Sequence, residues 1–393
     1  MLRYFVKCSF ITKLLIISFF LVLYNAILVG TSYYTMLFCA IALISVPMKK
    51  YFDEQARWLI AFSLLYSIMH FFLGIRSTHI PLYLLAPILF YCFGNFIVDA
   101  LNSKVSLLEF ITLTIFVFSL VTFYTCIIDV RNVGLINPSR IMGRMGGGEY
   151  DMAATLYGMN VSLGMTGLFI FLSIEKNSRS WVHYLLPLSF ALSLLTTIHL
   201  VNRTGLVLAF FSFLTFLMYH KINSKRTLLL LLLFLIVFGY LSTKSDFLQI
   251  SDAYGSRVQT EGHDLTDAGN RTDKWLDALS RLFTFPFGWY KDVKYTFTHN
   301  MWLDVARLTG IVPFVAMVVV TLKAIKKNVA LYAIKNDSLV LGLLSIFVVF
   351  YLESFMEPVM EGFDLYFYLL CMFWGIQKRY LDNFKQISDE KIP

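Results

Sequence analysis

The stretch LLEFITLTIFVFSLVTFYTCII, residues 107–128, decides the class of fold. Glu109 is its one charged side chain, and the run is long enough for an α-helix to cross the hydrocarbon of a bilayer, which takes about 20 residues. In lipid, backbone N–H and C=O groups must be satisfied within the protein, and a helix does this inside one segment. The stretch therefore predicts a membrane-spanning helix.

Similar apolar runs lie on both sides of this stretch. Together they give about twelve candidate spans, at 14–30, 32–47, 58–74, 79–98, 107–128, 153–174, 182–200, 204–220, 227–243, 300–321, 338–354 and 362–377. Hydrophobic residues fill 58% of the 393 positions and charged residues only 15%, whereas a soluble domain carries roughly 25% charged residues. The predicted fold class is an all-α polytopic membrane protein with about 12 transmembrane helices. This composition excludes cytosolic enzymes, secreted disulfide scaffolds and disordered regulators.

The basic residues predict an orientation in the bilayer. The formal net charge is +8, but the basic residues lie between apolar runs and do not cluster on a soluble face, so nucleic acid is not the expected partner. With the N-terminus inside, lysines concentrate in the inner segments, which agrees with the positive-inside rule and places both termini in the cytoplasm. The short outer segments contain no lysine; their basic residues are Arg76, Arg131, Arg140, Arg144 and Arg203.

The chain divides into four parts. Residues 1–242 hold the first nine predicted spans, 243–299 form a polar outer loop, 300–377 hold the last three spans, and 378–393 form a cytoplasmic tail. Within the outer loop, large apolar residues recur at helical spacing from about Thr272, which predicts a short amphipathic helix on the membrane surface. These residues are Trp275, Leu276, Leu279, Leu282 and Phe283.

Three polar motifs lie at the predicted outer face: Asn202-Arg203-Thr204-Gly205, Gly269-Asn270-Arg271-Thr272-Asp273 and Thr298-His299-Asn300. Arginine suits the recognition of phosphate and carboxylate groups, and histidine can accept a proton near neutral pH. Each motif also has an explanation without function. Arg203 could simply extend its side chain to the membrane interface, and Arg271 could be a solvated charge beside a helix cap. His299 could be an ordinary histidine at the interface.

Two further outer segments carry candidate ligands. Arg140 and Arg144 are either ligands for a phosphate or an anionic sugar, or plain loop charges. Four carboxylates lie near the outer loop between the last two predicted spans: Glu353, Glu357, Glu361 and Asp364. They either contact sugar hydroxyls and complement the charge of the arginines, or they have no functional role. No Asp-x-Asp motif is present, and the nearest groups, Glu149-Tyr150-Asp151 and His263-Asp264 with Asp267, are too sparse to predict a metal site.

The order of these motifs resembles the O-antigen ligase and O-antigen polymerase superfamily (WaaL and Wzy). The resemblance covers about 115 residues, Ile198 to Val312, and depends on order and spacing, because no single motif is specific. The chain departs from the family pattern after Arg144, where Asp151 stands at the place of an asparagine. The matching positions are Arg203 and Gly205, Arg271 with Trp275, Pro286 and Gly288, His299 and Asn300, and Gly310 with Ile311.

The resemblance implies a GT-C-like, inverting, metal-independent glycosyltransferase with its active site on the periplasmic face of the bacterial inner membrane. Its donor and acceptor would be glycans linked to undecaprenyl pyrophosphate, and a chain-length regulator is a further expected partner. Arg203 and Arg271 would stabilise the departing pyrophosphate, and His299 would act as general base. Asn300, Trp275, Arg140, Arg144 and Glu357 would contact substrate, and no cofactor is expected.

The leading prediction is a Wzy-type polymerase of surface polysaccharide repeat units. It is favoured by the short outer loop, because His299 follows Arg271 by only 28 positions. A ligase that transfers the glycan to lipid A-core, or a protein O-oligosaccharyltransferase, uses the same donor and base. A transporter is the alternative of a different class, and it would predict related halves and charged or broken helices near the bilayer midplane. The sequence shows no convincing internal symmetry, and its informative arginines and histidine lie at one membrane face.

Overall fold

The computed structural model describes residues 8–27, 31–75, 77–143, 152–220, 271–291, 297–334 and 337–389. The first part of the chain contains α1 (Phe10–Tyr24), α2 (Thr31–Ser45), α3 (Glu54–Leu73), α4 (Ile80–Leu101) and α5 (Lys104–Val133). Next come β1 (Ile141–Met142), β2 (Met152–Ala153), α6 (Ala154–Val161), α7 (Gly167–Ser173), α8 (Leu185–His199) and α9 (Arg203–His220). The last part contains α10 (Arg271–Thr284), α11 (Met301–Thr309), α12 (Ile311–Tyr332), α13 (Ser338–Met356), α14 (Val359–Gly362) and α15 (Asp364–Asp389). The protein is therefore helical, with one two-residue antiparallel pairing of β1 and β2 in the described residues.

Among the described residues, six helical segments are long and apolar enough to cross a membrane. They are Glu54–Leu73, Ile80–Leu101, Lys104–Val133, Ala154–Ser173, Trp181–His199 and Ser338–Met356, and three shorter apolar helices accompany them. These helices are compatible with a multi-pass membrane protein. The predicted number of twelve spans is not confirmed, and the predicted span 227–243 lies outside the described residues.

The predicted span 153–174 is one continuous apolar segment but not one regular helix. Between α6 and α7 the backbone tightens into a 3₁₀ helix at Ser162–Thr166. A Cβ added at Gly164 would lie 2.1 Å from Ser193 Oγ, and one at Gly167 would lie 2.2 Å from the Leu186 carbonyl oxygen. The two glycines thus allow this segment to contact α8 closely, as small residues do between membrane helices.

Helices α4 and α15 form the tightest pair in the core. A Cβ on Gly94 of α4 would lie 2.0 Å from the Met372 carbonyl oxygen, and a Cβ on Gly375 of α15 would lie 2.0 Å from that of Tyr91. Each helix therefore places a glycine against the backbone of the other. This reciprocal contact fixes α15, and with it the short segment that connects α13 to α15.

The predicted span 300–321 is interrupted, which the sequence did not indicate. Gly310 ends α11 and precedes α12, and its φ of +88° is a left-handed conformation that favours glycine. A Cβ at this position would also lie 2.0 Å from the Pro286 carbonyl oxygen, which accepts a hydrogen bond from Ile311 N at 2.9 Å. The turn after α10 therefore packs against the backbone at Gly310, and α11 is a short helix separate from α12.

Helix α10 occupies the segment predicted as a surface helix. Its inner face buries Ala278 and Leu282 in a cluster with Leu303 and Ala306 of α11. The apolar residues Leu276, Leu279 and Phe283 are exposed on the outer face, with Phe283 81% exposed. The helix therefore divides its apolar residues between a packed face and a free one.

Candidate functional site

The bundle carries different charged groups at its two ends. At the start of α13, Asp337 pairs with Lys104 at 2.5 Å, and nearby Asp99 pairs with Arg379 at 2.6 Å. Helix α13 has 19 residues, so its far end lies about 28 Å away at 1.5 Å per residue. Glu357 lies at that far end, where the predicted site residues meet.

The Glu357 carboxylate contacts residues from three other segments of the chain. Its Oε1 atom accepts a hydrogen bond from Thr204 Oγ1 at 3.0 Å and from Arg271 Nη2 at 3.0 Å. Its Oε2 atom lies 3.5 Å from Nδ1 of His299, which is an ion-pair distance. The side chain is 4% exposed. Glu357 with Thr204, Arg271 and His299 is therefore the candidate site.

Thr204 is positioned by the tight turn between α8 and α9. Asn202 N donates to the Thr197 carbonyl oxygen at 2.9 Å, and Asn202 Oδ1 accepts from Thr204 N at 3.0 Å. Gly205 lies against Thr197, since an added Cβ would be 2.4 Å from Thr197 Oγ1. The glycine of the Arg-x-Gly motif thus has a packing role: it lets α9 approach α8 and place Thr204 on Glu357.

Two cations lie on the first turn of α10. Arg271 is the first residue of the helix, and Lys274 follows one turn later. Burial and the neighbouring Arg271 lower the pKa of Lys274. Together with the positive end of the helix dipole, the two cations favour an anion at the start of α10, although Asp273 in the same turn offsets part of their charge. Lys274 was not identified from the sequence, although its spacing from Arg271 is that of one helical turn.

The partners of Glu357 keep it ionised. Burial by itself would raise the pKa of this carboxyl, but His299, Arg271 and Thr204 together lower it below its ordinary value. One helical turn earlier, Glu353 is 1% exposed, and its Oε2 atom has no hydrogen-bond partner among the described residues. The site thus contains a charged carboxylate with a second buried carboxyl behind it.

His299 has an unusual backbone conformation. Its φ is +54°, in the left-handed region that residues other than glycine seldom adopt. On one side, the Thr298 carbonyl oxygen accepts a hydrogen bond from Trp275 Nε1 at 3.0 Å. On the other side, Asn300 caps α11 through Leu303 N at 3.2 Å and donates to the Phe355 carbonyl oxygen at 3.4 Å. The flanking residues therefore hold His299 against Glu357.

A second group of buried acidic and basic residues lies at α11, and two of its members, Asp304 and Arg307, were missed from the sequence. Asp304 is fully buried on α11, and Arg307 one turn later pairs with Glu361 at 2.5 Å. The Arg307 guanidinium also lies 5.2 Å from the centre of the Tyr290 ring. Asp304 and Arg307 fall inside the predicted span 300–321, and two charged residues in an apolar run were the signal that could have revealed them.

The structure brings most of the predicted site residues together. Trp275 lies beside the site, where its ring packs 4.6 Å from that of Phe355, and Asn300 adjoins His299. Arg203 opens α9 directly before Thr204 and is half-buried. Arg140 contacts the turn before α9, where its Nε donates to the Leu200 carbonyl oxygen at 3.3 Å. Arg144 lies outside the described residues.

His199, which precedes Arg203 by four residues, is a fully buried structural residue. Its Nε2 lies 2.7 Å from Asp129 Oδ2, and its Nδ1 lies 3.0 Å from the Leu135 carbonyl oxygen. Asn137 Nδ2 donates to the same Asp129 oxygen at 2.7 Å. These bonds fasten the loop after α5 to the end of α8. His199 is thus satisfied by neighbouring elements, as expected for a buried histidine.

Within the described residues, no group of three or more His, Cys, Asp and Glu side chains could hold a metal ion. The fold and site thus define a helical protein, compatible with several membrane crossings, that gathers an arginine, a histidine and buried carboxyls at one end. No protein-family model matches the chain, and no curated protein matches it. The resemblance to the O-antigen superfamily therefore depends on the sequence motifs alone.

Proposed function

We propose that this protein is a membrane glycosyltransferase that moves a glycan from an undecaprenyl-pyrophosphate carrier to an acceptor hydroxyl, with inversion and without a metal. The observation that carries the proposal is the junction at Glu357, where a histidine, an arginine and a threonine from separate segments meet one ionised carboxylate. A histidine beside a carboxylate suits a general base, and an arginine suits a phosphate-containing leaving group.

In the proposed reaction, His299 takes the proton from the acceptor hydroxyl. Glu357 faces Nδ1 of the imidazole, so it orients the ring and stabilises the positive charge that the ring acquires, while Nε2 is the nitrogen that would meet the hydroxyl. The acceptor oxygen bonds to the anomeric carbon, and the bond from that carbon to the pyrophosphate oxygen breaks. Attack opposite the leaving group inverts the configuration.

The cations balance the charge that leaves with the pyrophosphate. Arg271 is held by Glu357 through one nitrogen, Nη2, and a guanidinium has further N–H groups that can point at an anion. Lys274 lies on the same helical turn, and Arg203 is next to Thr204 in the chain. Fixed cations of this kind stabilise a developing negative charge without reorganisation during the reaction.

We favour polymerisation of O-antigen or related repeat units as the particular reaction, since His299 follows Arg271 by only 28 positions. The donor and the acceptor would then both be lipid-linked glycans in the bacterial inner membrane, with the site on the periplasmic face. The distribution of lysines supports this orientation, because Lys50, Lys104 and Lys323 form ion pairs at the end of the bundle opposite Glu357.

The test is gel analysis of surface glycans from a strain that lacks the gene and is complemented with wild type, His299→Ala or His79→Ala. His79 is a matched control, because it pairs with Asp364 at 3.5 Å and does not belong to the Glu357 junction. A polymerase predicts no ladder with His299→Ala, a single repeat unit on lipid A-core, and a normal ladder with His79→Ala.

Other outcomes would change the assignment. Loss of every attached unit, with polymer accumulating on the lipid carrier, would identify a ligase. A normal ladder with a folded His299→Ala protein would refute the catalytic role of His299. If the ladder persists in that variant while deletion of the gene abolishes it, a transporter becomes the better explanation, since transport does not require a base at one face.

A further inference from the structure

The backbone of His299 costs free energy that its surroundings must supply. A residue other than glycine in the left-handed region, such as His299 with its φ of +54°, is strained and persists only where neighbouring groups fix it. The adjacent residue Thr298 is fixed at two points: its carbonyl oxygen accepts a hydrogen bond from Trp275, and its hydroxyl donates to Asp304.

The Thr298 hydroxyl connects this residue to α11. It donates a hydrogen bond to Asp304 Oδ1, and its oxygen also lies 3.3 Å from the Asn300 carbonyl oxygen. The Asp304 carboxyl is therefore the acceptor that fixes the Thr298 side chain.

The surroundings of Asp304 hold its carboxyl in place. The side chain is fully buried, and the nearby Arg307 is paired with Glu361 at 2.5 Å. Burial and the charge of Glu361 raise the pKa of the Asp304 carboxyl, and the hydrogen bonds from Thr298 and the charge of Arg307 offset only part of this rise. The Oδ1 oxygen can accept the Thr298 hydroxyl hydrogen whether the carboxyl is ionised or neutral.

We infer that Asp304 is a positioning residue that acts through Thr298 to hold His299 in its left-handed conformation facing Glu357. The inference rests on the proposed function insofar as it makes Asp304 important for glycan transfer. The structural part stands by itself: Asp304 fixes Thr298, and Thr298 fixes the imidazole one residue further on. Sequence spacing alone could not connect these residues, because Asp304 acts from the buried face of α11.

The experiment compares four variants of the full-length protein: Asp304→Asn, Asp304→Ala, Thr298→Val, and the Thr298→Val/Asp304→Ala double variant. Thr309→Val is the matched control, because Thr309 is buried on the same helix and bonds to the Val305 carbonyl oxygen. The first readout is the rate at which diethyl pyrocarbonate modifies His299 in purified, monodisperse protein, measured on the His299 peptide relative to the His79 peptide. The second readout is polymer yield in the complemented strain.

We expect Asp304→Ala and Thr298→Val each to change the modification rate of His299 several-fold and to reduce polymer about tenfold or more, since small misplacements of a catalytic group are costly. Asp304→Asn should behave as wild type, because the amide oxygen also accepts a hydrogen bond from the Thr298 hydroxyl. The double variant should equal either single variant, as expected when two residues act in one contact. Thr309→Val should change neither readout.

Wild-type modification rates in both Asp304→Ala and Thr298→Val would overturn the inference, as would additive effects in the double variant. The rate at which diethyl pyrocarbonate modifies His299 does not depend on enzyme activity. The positioning role of Asp304 and the proposed glycan transfer can therefore be refuted independently of each other. If modification rates change as expected but His299→Ala leaves polymer intact, positioning is supported and the transferase proposal is wrong. If His299→Ala abolishes polymer while the rates stay constant, only the positioning role is wrong.

Discussion

Arg271 and Glu357 lie 86 positions apart in the sequence, yet Nη2 of the arginine is 3.0 Å from Oε1 of the glutamate. The side chains are 19% and 4% exposed, so the pair is largely removed from solvent. Removing one partner of a buried pair leaves an uncompensated charge and costs about 3–5 kcal/mol. The contact therefore fixes the start of α10 against the end of α13, and it holds an arginine where an anion could reach it.

The first prediction concerns Glu357→Gln. The amide keeps the size of the side chain and can still accept from Thr204, but it removes the charge that faces His299. We expect polymer yield to fall about 10²-fold or more, because a carboxylate that orients a catalytic histidine and stabilises its charge contributes at least this much, as measured by the surface-glycan ladder. Glu54→Gln is the control, because Glu54 pairs with Lys323 at the opposite end of the bundle. Wild-type yield in Glu357→Gln would show that the carboxylate does not orient the base.

Arg271→Lys is the second prediction, with Arg281→Lys as the matched control on the same helix. A lysine keeps the charge but has no planar fork to bind Glu357 and an anion together, so we expect activity to fall on the order of tenfold or more. Arg281 pairs with Asp277 at 2.7 Å on α10 and does not touch Glu357, so its lysine variant should be near normal. Equal polymer yield in the two variants would show that the planar guanidinium of Arg271 is not needed to bind Glu357 and an anion together.

Gly205→Ala tests the packing that places Thr204 on Glu357. The new methyl group would lie 2.4 Å from Thr197 Oγ1, so α9 must shift, at a cost of about 1–3 kcal/mol. We expect a lower thermal midpoint of the purified protein and less polymer. Gly342→Ala on α13 is the control, because its nearest neighbour would be an ordinary 3.6 Å from the Cβ.

Thr197→Ala combined with Gly205→Ala should recover part of the loss, because it removes the hydroxyl that the new methyl group meets. The steric explanation is wrong if Gly205→Ala matches Gly342→Ala in both thermal midpoint and polymer yield.

The fourth prediction is a pH dependence of stability at the opposite end of the bundle. Burial alone would raise the pKa of Asp337, but hydrogen bonds from Lys104 and Tyr380 lower it below the ordinary value. A carboxyl with a lowered folded-state pKa stabilises the fold above its unfolded pKa of about 3.9, and this stabilisation is lost as the pH falls through the folded pKa.

Thermal midpoints of the purified protein should therefore decrease below about pH 4. Asp337→Asn keeps a residue that can cap α13 but loses the charge, so its midpoint should be lower than that of wild type at neutral pH and depend less on acid. A parallel pH curve for the two proteins would mean that Asp337 contributes nothing through its charge.

Much of the helical fold follows from local sequence. The run 107–128 lies inside α5, and the run 338–354 lies inside α13. The predicted span 300–321 was wrong as a single helix, because hydrophobicity does not show that Gly310 must make room for the turn at Pro286. Likewise, helical spacing predicts α10 but not that Leu282 packs inward while Phe283 is exposed.

For the candidate site, residue chemistry identified Arg271, His299 and Glu357 as candidates at one membrane face, but not the contacts that join them. The positions of Lys274, Glu353 and Asp304 at the site could not be predicted, because they depend on how α10, α13 and α11 pack together. Charge alone could have drawn attention to Asp304, because a buried acid in an apolar run is rare.

By itself, the sequence determined that the chain forms apolar helices long enough to cross a membrane, because lipid demands that each segment satisfy its own backbone. It also determined which residue types, arginine, histidine and glutamate, are available for chemistry. Only the tertiary structure decided that Thr204, Arg271 and His299 meet on Glu357, and that Asp304 lies beneath them. Those contacts join distant segments, so they depend on how whole helices pack and not on any local pattern.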